Sequence, residues 1–408
     1  MTGRLSQDFT EPLHGRVSAD RVAELTGRLI RCDTSNPPGN EQSIIQLLVE
    51  TLTRIDCAVE VFERTPGRPS VVARSGPADG ARPVLLINGH IDVVPVRRAE
   101  WSIEPFAGVV QDGRVRGRGA CDMKGGIAAA IEALTVCREA NLTLDADIVL
   151  HLVADEETGG SHGTEALAEA GLIRADACII PEPNDMHVGI AERGTLIADI
   201  VVDGRAAHGS DPAAGHSAVA DAARIVQTLH LADFGDPDHP VLGRPTCNVG
   251  TIAGGTSANV VASECTVRID RRVLPGHSQD KVLKSIKAKL GALDPKVEYR
   301  IHPRMFVEAS EIDSEAPFVH YFRQVALGRS GPAEIGGSYL GSDARILRNR
   351  LGIPTVVYGP GSMRHAHTAD EWVAIDDLVK VARSLVSVFT TFGSYPLLGR
   401  AGDGTILA

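Results

Sequence analysis

Four short apolar runs of the sequence lead directly into residues that can bind metal ions or carry protons. In chain order these residues are His90 and Asp92, then Asp155, Glu156 and Glu157, then Glu182, and finally His365 and His367. Imidazole nitrogens and carboxylate oxygens are ligands that zinc and similar divalent ions take in proteins. Because the ligand crevice of a parallel sheet lies at the carboxyl ends of its strands, we expect these side chains to meet there. The spacing therefore predicts one metal-binding site built from several strands.

A further acid, Asp122, stands just ahead of a predicted helix, whose first amides could hold its carboxylate. Two histidines and four or five carboxylates exceed what one tetrahedral zinc ion requires, but they suit a pair of divalent ions that share one carboxylate. Of the adjacent Glu156 and Glu157, one can bind metal while the other stays free as a base. Asp92 follows His90 at the spacing at which an acid can orient an imidazole. The residues alone predict dinuclear metal chemistry with a general base.

The apolar runs that precede these residues predict strands, because they are rich in aliphatic and β-branched residues without polar alternation. They are 84–88, 148–154, 178–180 and 355–358, and similar runs occur at 58–62 and 71–73. Helical spacing over 20–31, 41–55 and 127–140 alternates with them. We therefore expect an α/β catalytic domain with a mainly parallel sheet flanked by helices.

The middle of the chain follows a different order. Strand and helix patterns between residues 195 and 301 alternate as β-α-β-β-α-β, which is the ferredoxin-like arrangement. We expect residues 194–308 to form an inserted α+β domain, and residues 1–193 with 309–408 to form a discontinuous catalytic domain.

The composition disfavours several classes of partner. The 408 residues include 41 Lys and Arg against 52 Asp and Glu, and the resulting net charge of −11 makes nucleic acid an unfavourable partner. Because no uncharged apolar run approaches the roughly 20 residues that span a bilayer, no membrane association is expected.

The seven cysteines are scattered without a C-x-x-C pair, and the first residues show no signal-peptide core. We therefore expect a cytoplasmic protein.

The metal-binding segments also resemble a known family. Segments 89–95, 117–126, 155–157, 181–183 and 366–368, taken in this order, resemble the signature of the M20 metallopeptidases. This family includes acetylornithine deacetylase, succinyl-diaminopimelate desuccinylase, aminoacylase-1 and glutamate-releasing carboxypeptidases. The resemblance runs from about residue 20 to 390 and includes the inserted segment.

The resemblance implies two zinc ions per chain, for which Co²⁺ or Mn²⁺ could substitute. It assigns His90, Asp122 and Glu182 to one ion, and Asp122, Glu157 and His367 to the other.

The resemblance also separates the roles that the residues alone leave open. It makes Glu156 the general base and gives Asp92 the task of orienting His90. His365 competes with His367 as a ligand, and the Ala-His-Thr context favours His367. A cis peptide bond after the shared acid, between Asp122 and Met123, is implied as well.

Three segments of the insertion, 204–210, 254–260 and 270–276, match family segments that contact the substrate. By this resemblance His208 reaches the neighbouring subunit's active site and stabilises the oxyanion. Asn259 and Arg272 would bind the substrate carboxylate, with Arg271 as the competing arginine. The resemblance therefore implies a lid and a homodimer formed through the inserted domain.

The predicted function is a zinc-dependent hydrolase with a small-molecule substrate. It would cleave the amide bond of an N-acyl amino acid or of a short peptide with a free carboxylate. The segment after His367 resembles the deacetylase and desuccinylase branch, which favours a deacylase over a peptidase. A dipeptidase or carboxypeptidase of the same family is the alternative.

Two other classes compete with this prediction. Residues 159–163 satisfy G-x-S-x-G, and Asp343 and His367 follow Ser161 in the order of a serine α/β-hydrolase. Residues 155–158, however, separate Ser161 from the strand that a nucleophile elbow must follow directly. A catalytically silent binding protein would be expected to lack a ligand or the base, and all are present.

Overall fold

The computed structural model describes residues 11–76, 80–326 and 334–394. These residues belong to two compact units. The first unit takes in Met1–Ile190, Ile312–Gly336 and Ser342–Ala408, and the second takes in Ala191–Glu311 and Gly337–Gly341. The segment 194–308, predicted as an inserted domain, lies within the second unit. The ends of the predicted catalytic domain, 1–10 and 395–408, lie outside the described residues.

The helices follow the predicted apolar periodicity. They are α1 (Glu11–His14), α2 (Ala19–Ile30), α3 (Gln42–Arg54), α4 (Gly125–Glu139), α5 (Thr164–Glu169), α6 (Ala218–Leu229), α7 (Gln279–Gly291), α8 (Pro317–Val325) and α9 (Ile375–Thr391). Serine side chains cap α2, α6 and α7 by accepting a hydrogen bond from a first-turn backbone N–H.

The strands alternate with these helices along the chain. They are β1 (Ala58–Phe62), β2 (Ser70–Ser75), β3 (Val84–His90), β4 (Val109–Gln111), β5 (Arg114–Arg116), β6 (Asp147–Val153), β7 (Ala177–Pro183), β8 (Val188–Glu192), β9 (Gly194–Asp203), β10 (Thr246–Gly254), β11 (Glu264–Val273), β12 (Tyr299–Val307), β13 (Ser310–Glu311), β14 (Ile335–Ser338), β15 (Thr355–Gly359) and β16 (Trp372–Ala374).

The main sheet of the first unit has the strand order β1-β2-β6-β3-β7-β15-β8. Its four central strands are parallel, since β3 pairs in parallel with β6 and β7, and β7 with β15. Every residue of β6, β7 and β15 is buried, which explains why these strands are continuous apolar runs without polar alternation. The prediction of an α/β fold with a mainly parallel sheet flanked by helices is confirmed.

A second sheet of the first unit has the order β16-β5-β4, and its pairs are antiparallel. Its strands have three residues each, and Trp372 of β16 pairs with Arg116 of β5. This pairing brings the chain that follows β15 beside the chain that leads to Asp122.

The second unit contains an antiparallel sheet with the order β10-β11-β9-β12. Its elements occur in the order β-α-β-β-α-β that the sequence predicts. Inward residues of the sheet, such as Ile200 and Val267, pack with Ile225 of α6 and Ile286 of α7 in one apolar core. At the edge of the unit, Ala191 and Glu192 of β8 pair with β13. None of the helices in residues 11–76, 80–326 and 334–394 is both long enough and apolar enough to cross a membrane.

Gly126, at the start of α4, packs against β7 without room for a side chain. A Cβ at this position would lie 2.0 Å from the carbonyl oxygen of Pro181. We expect Gly126→Ala to destabilise the first unit by about 2 kcal/mol or more, because a well-packed interior resists added volume. Thermal unfolding followed by circular dichroism should show a fall in melting temperature of about 5 °C.

Gly15→Ala is the matched control, because its Cβ would meet no atom of the described residues nearer than 3.6 Å. Its melting temperature should stay near that of the wild type. Equal melting temperatures for both variants would contradict the tight packing at Gly126.

Candidate metal-dependent active site

Neighbouring parallel strands bring the predicted ligands to one edge of the main sheet. His90 is the last residue of β3, and Glu182 lies near the end of the adjacent β7. The turn that carries Glu156 and Glu157 follows β6, which pairs with β3 on its other side. The carboxyl ends of three adjacent strands therefore supply most of the site.

Asp122 joins the residues of β3 and β7 from a segment just ahead of α4. His90 Nε2 lies 3.0 Å from Asp122 Oδ1 and 3.2 Å from Glu182 Oε1. One donor atom of each of the three residues lies within 4.8 Å of the other two, and all three side chains are largely buried. This first triad could hold one metal ion.

The second carboxylate oxygen of Asp122 faces a different pair of residues. His367 Nε2 lies 3.2 Å from Asp122 Oδ2 and 3.0 Å from Glu157 Oε2, and the three donors again lie within 4.8 Å of one another. The His367 side chain is 45% exposed, whereas the side chains of Asp122 and Glu157 are 7% and 6% exposed. Asp122 thus belongs to both triads, one oxygen to each, as a carboxylate shared by two ions would.

The competing residues lie elsewhere. The His365 ring packs against Trp372, with 4.2 Å between ring centroids and 38° between the ring planes, and among the described residues His365 belongs to neither triad. Ser161 donates its hydroxyl hydrogen bond to Asp155 Oδ2 at 3.0 Å, while His367 contacts Asp122 and Glu157. The structure therefore does not bring Ser161 and His367 together as a catalytic pair.

Asp92 connects the end of β3 with the turn after β6. The nearest partner of His90 Nδ1 is the backbone carbonyl oxygen of Asp92 at 2.9 Å, and the Asp92 carboxylate lies farther away at 3.5 Å. That carboxylate accepts the backbone N–H groups of Glu156 and Glu157, each at 3.2 Å. Asp92 can orient His90 mainly through its backbone, while its side chain fixes the turn that carries both glutamates.

Asn36 is a site residue that the sequence analysis missed. Its side-chain nitrogen lies 2.8 Å from Asp92 Oδ2, 3.0 Å from Thr158 Oγ1 and 3.2 Å from Asp155 Oδ1. The residue is 2% exposed, so these contacts are shielded from water. In the sequence, the Ser-Asn-Pro-Pro-Gly loop predicts only that the preceding helix ends there. The two prolines restrict the backbone after Asn36, and this is the one signal that could have pointed to an ordered Asn36 side chain.

The side chain of Glu156 differs from that of its neighbour Glu157, because it has no hydrogen-bond or ion-pair partner among the described residues. Within the described part of the chain, no side chain donates a hydrogen bond to its carboxylate, and it belongs to neither triad. Burial raises the pKa of Glu156 well above its ordinary value; Glu182 and Asp343 raise it further, while His90 opposes them. Because the Glu156 carboxylate is in neither triad, it is not committed to binding a metal ion and is able to exchange a proton.

The electrostatics of the triads fit divalent cations. Burial, followed by the charge of Asp122, raises the pKa of Glu182 to about 8 and also raises the pKa of Glu157. Hydrogen bonds that His367 donates to Asp122 and then to Glu157 raise the pKa of His367 to about 11. Three carboxylates that lie this close together in a buried site need positive charge nearby to stay ionised. Two imidazoles and three carboxylates are also a set of donors that zinc accepts. The residues therefore fit two divalent ions.

The peptide bond between Asp122 and Met123 is cis, as the family resemblance implied.

The remaining predicted site residues lie in the second unit. His208 forms a β-bridge with Val260, and the backbone N–H of Gly209 donates to the Asn259 carbonyl oxygen at 2.7 Å. His208 and Asn259 are thus held on adjoining loops, and both are exposed.

The two candidate arginines differ in their surroundings. Arg271 is 1% exposed, lies 3.8 Å from the centre of the Phe234 ring and pairs with Asp236. Arg272 lies partly exposed on the opposite face of β11 and pairs with Asp270 at 3.1 Å. Arg271 is buried against Phe234 and paired with Asp236, so Arg272 is the arginine that solvent, and hence a substrate, can reach.

The chain is similar to known proteins along most of its length. The family model described as "Peptidase family M20/M25/M40" matches residues 86–391. An acetylornithine deacetylase of Myxococcus xanthus is 33% identical over 79% of this chain and 84% of its own length. The N-formyl-4-amino-5-aminomethyl-2-methylpyrimidine deformylase of Bacillus subtilis is 28% identical over 92% of this chain and 95% of its own length.

Solved structures share the fold. A tripeptidase from Staphylococcus aureus superposes with a TM-score of 0.77 and 23% identity over 93% of this chain and 100% of its own. A dinuclear metal-binding peptidase of the M20 family from Bacillus subtilis gives a TM-score of 0.69 and 15% identity over 92% of this chain and 99% of its own.

Proposed function

The chain belongs to peptidase family M20/M25/M40, and from this premise we propose that it is a two-zinc amidohydrolase that deacylates an N-acyl amino acid with a free carboxylate. The observation that carries the proposal is the pair of triads joined by Asp122, beside which the Glu156 carboxylate has no hydrogen-bond partner among the described residues. His90, Asp122 and Glu182 would hold one ion, and Asp122, Glu157 and His367 the other.

A deacylase is favoured over a peptidase by the named relatives. Both the deacetylase and the deformylase remove an acyl group from a nitrogen, and both align over most of this chain. The tripeptidase, at 23% identity, supports the fold alone. Cleavage of a dipeptide or of a C-terminal residue is the second candidate.

In the proposed mechanism, Glu156 takes a proton from the attacking water and then delivers it to the amine nitrogen as the carbon–nitrogen bond breaks. When bound, two zinc ions polarise the amide carbonyl and make water nucleophilic at neutral pH. The backbone N–H groups of Glu156 and Glu157 remain bonded to Asp92, so the base keeps its position during both proton transfers.

Residues of the second unit would complete substrate recognition. We propose that His208 donates a hydrogen bond to the developing oxyanion. Arg272 would bind the substrate carboxylate together with Asn259. The exposure of His208 and the partial exposure of Arg272 support these roles, because a substrate can reach both.

We further propose that the second unit serves as a lid and joins two copies of the chain. Strand β10 lies at the edge of its sheet, and exposed apolar side chains, Val219, Ile252 and Val260, lie on it and on nearby segments. An exposed edge strand with apolar residues is a surface on which a second copy can pair. His208 would then act in the partner's active site.

A mixture of two inactive variants tests this arrangement. Glu156→Gln and His208→Ala subunits, mixed in equal amounts and allowed to exchange, should recover about a quarter of the wild-type activity. Half of the dimers are then mixed, and each mixed dimer has one site with an intact base and an intact partner histidine. Size-exclusion chromatography should confirm the dimer. No recovery above either variant alone would contradict the action of His208 in the partner.

The proposed substrate class is tested by measuring kcat/KM of the zinc-loaded protein on N-acetyl, N-succinyl and N-formyl amino acids and on dipeptides. An N-acyl amino acid should be the best substrate. Dipeptides as the best substrates would establish the second candidate instead, and no cleavage of any member would overturn the proposed function.

We propose a cytoplasmic location, which the seven unpaired cysteines support because a reducing compartment keeps thiols free. Fractionation of the producing cells with compartment markers would test it.

A further inference from the structure

Glu371, a buried glutamate that belongs to neither triad, links the two irregular segments that carry Asp122 and His367. Glu371 is 0% exposed and stands four residues after His367, directly before β16. Its Oε1 accepts the backbone N–H of Cys121 at 2.8 Å and the backbone N–H of Asp122 at 3.1 Å. The same carboxylate therefore holds the two peptide groups that flank the Cys121 α-carbon, immediately before the shared ligand.

Arg118 extends this connection to the other ligand segment. Its guanidinium donates to Glu371 Oε2 at 2.6 Å and to the His367 carbonyl oxygen at 3.4 Å. Arg118 is 3% exposed, so the ion pair is shielded from water. The backbone N–H of Gly117 also donates to the Glu371 carbonyl oxygen at 2.9 Å. Side chain and backbone of Glu371 are thus both committed to the segment that precedes Asp122.

These contacts matter because regular structure does not orient the Asp122 side chain. Asp122 has φ −119° and ψ 95°, and Met123 has φ −131° and ψ 28°, so the backbone is kinked and not helical at both residues. His367 has φ 61° in the left-handed region. A ligand on such backbone is aimed by the hydrogen bonds of its own peptide groups. Glu371 and Arg118 supply these bonds, as Asp92 supplies them for Glu156 and Glu157.

We propose that Glu371 is a positioning residue that keeps Asp122 and His367 together as ligands, acting through the Asp122 backbone and through Arg118. The inference rests on the proposed function, since it assumes that the second triad binds zinc. Outer contacts of this kind typically change metal affinity by about 10-fold to 100-fold.

The test compares Glu371→Gln with Glu132→Gln. Glu132 is a matched control because it is 3% exposed, accepts the backbone N–H of Ser18 at 2.7 Å and pairs with Arg21, but contacts neither triad. Zinc affinities are measured by competition with a chromophoric chelator, and melting temperatures are measured without metal. Both variants should lose stability, but only Glu371→Gln should weaken zinc binding, by about 10-fold or more.

Absorption of the Co²⁺-loaded proteins provides a second readout, because its visible bands report ligand geometry. These bands should shift in Glu371→Gln and stay unchanged in Glu132→Gln. Unchanged affinity and bands in Glu371→Gln, or equal losses in both variants, would overturn the proposal.

Glu371→Gln changes the hydrogen bonds and also removes a negative charge near the ions. The variant Arg118→Lys separates these two effects. Lys keeps the charge but lacks the fork that spans Glu371 and the His367 carbonyl. It should weaken zinc binding in the same direction, and it decides the question if Glu371→Gln does not fold. Wild-type affinity in Arg118→Lys would then overturn the proposal.

The wild-type titration distinguishes this inference from the proposed function. If the wild type fails to bind two zinc ions, the proposed function fails. If it binds both and the variants bind them equally well, only the role of Glu371 fails.

Discussion

Replacing Glu156 with Gln is expected to lower kcat by about 10³-fold or more while two zinc ions remain bound per chain. Gln keeps the size of the side chain but cannot accept a proton from water at neutral pH. The Glu156 carboxylate belongs to neither triad and has no hydrogen-bond partner in the described part of the chain, so its loss should leave the metal ligands in place. Steady-state kinetics and elemental analysis of the same preparation measure both effects.

The adjacent Glu157→Gln is the matched control for this experiment. Both glutamates donate their backbone N–H to Asp92, but only the Glu157 side chain contacts His367. Glu157→Gln should therefore lose zinc as well as activity. The opposite pattern, with zinc lost from Glu156→Gln and kept by Glu157→Gln, would exchange the two roles.

Removing the metal should abolish hydrolysis and lower the melting temperature, and adding zinc should reverse both changes. The physical reason is the buried carboxylate cluster, in which burial and the charge of Asp122 raise the pKa of Glu182 to about 8. Ions that bind the folded chain alone stabilise it, by about 4 kcal/mol for each site when free zinc is a thousandfold above its Kd. Activity assays and thermal unfolding after dialysis against a strong chelator measure these effects.

Ser161→Ala is the control that separates metal from serine chemistry. Because the Ser161 hydroxyl donates to Asp155 and not to a histidine, its loss should leave most of the activity. Activity that survives the chelator and disappears in Ser161→Ala would establish serine chemistry instead.

The central parallel strands of the main sheet, β6, β3, β7 and β15, were predictable because they are buried on both faces. The run 148–154 corresponds to β6, in which every residue is buried, and 355–358 corresponds to β15. The sheet formed by β4, β5 and β16 was not predicted. Strands of three residues are too short to show a period of two, and β16 pairs with a strand more than 250 residues earlier in the chain.

The sequence analysis grouped the ligands because they follow parallel strands, but it could not find the residues that support them. Asn36 and Glu371 lie in irregular segments, where no periodicity marks a buried polar side chain. Their partners are distant in sequence, as Glu371 bonds the backbone of Asp122 and Asn36 bonds Asp92. For Asp92, the spacing predicted a carboxylate that orients His90, whereas the backbone carbonyl oxygen lies closer to the ring.

The order of the ligands along the chain has a consequence for biosynthesis. His90, Asp122, Glu157 and Glu182 all precede the second unit, whereas His367 follows it. During translation the ribosome therefore releases every ligand of the first triad before it has made the second unit. The second triad waits for His367, which emerges after β15 has completed the parallel part of the sheet. Glu371, which bonds the backbone of Asp122, follows His367 by four residues, so neither triad has all of its ligands and supporting contacts until this late segment has been made.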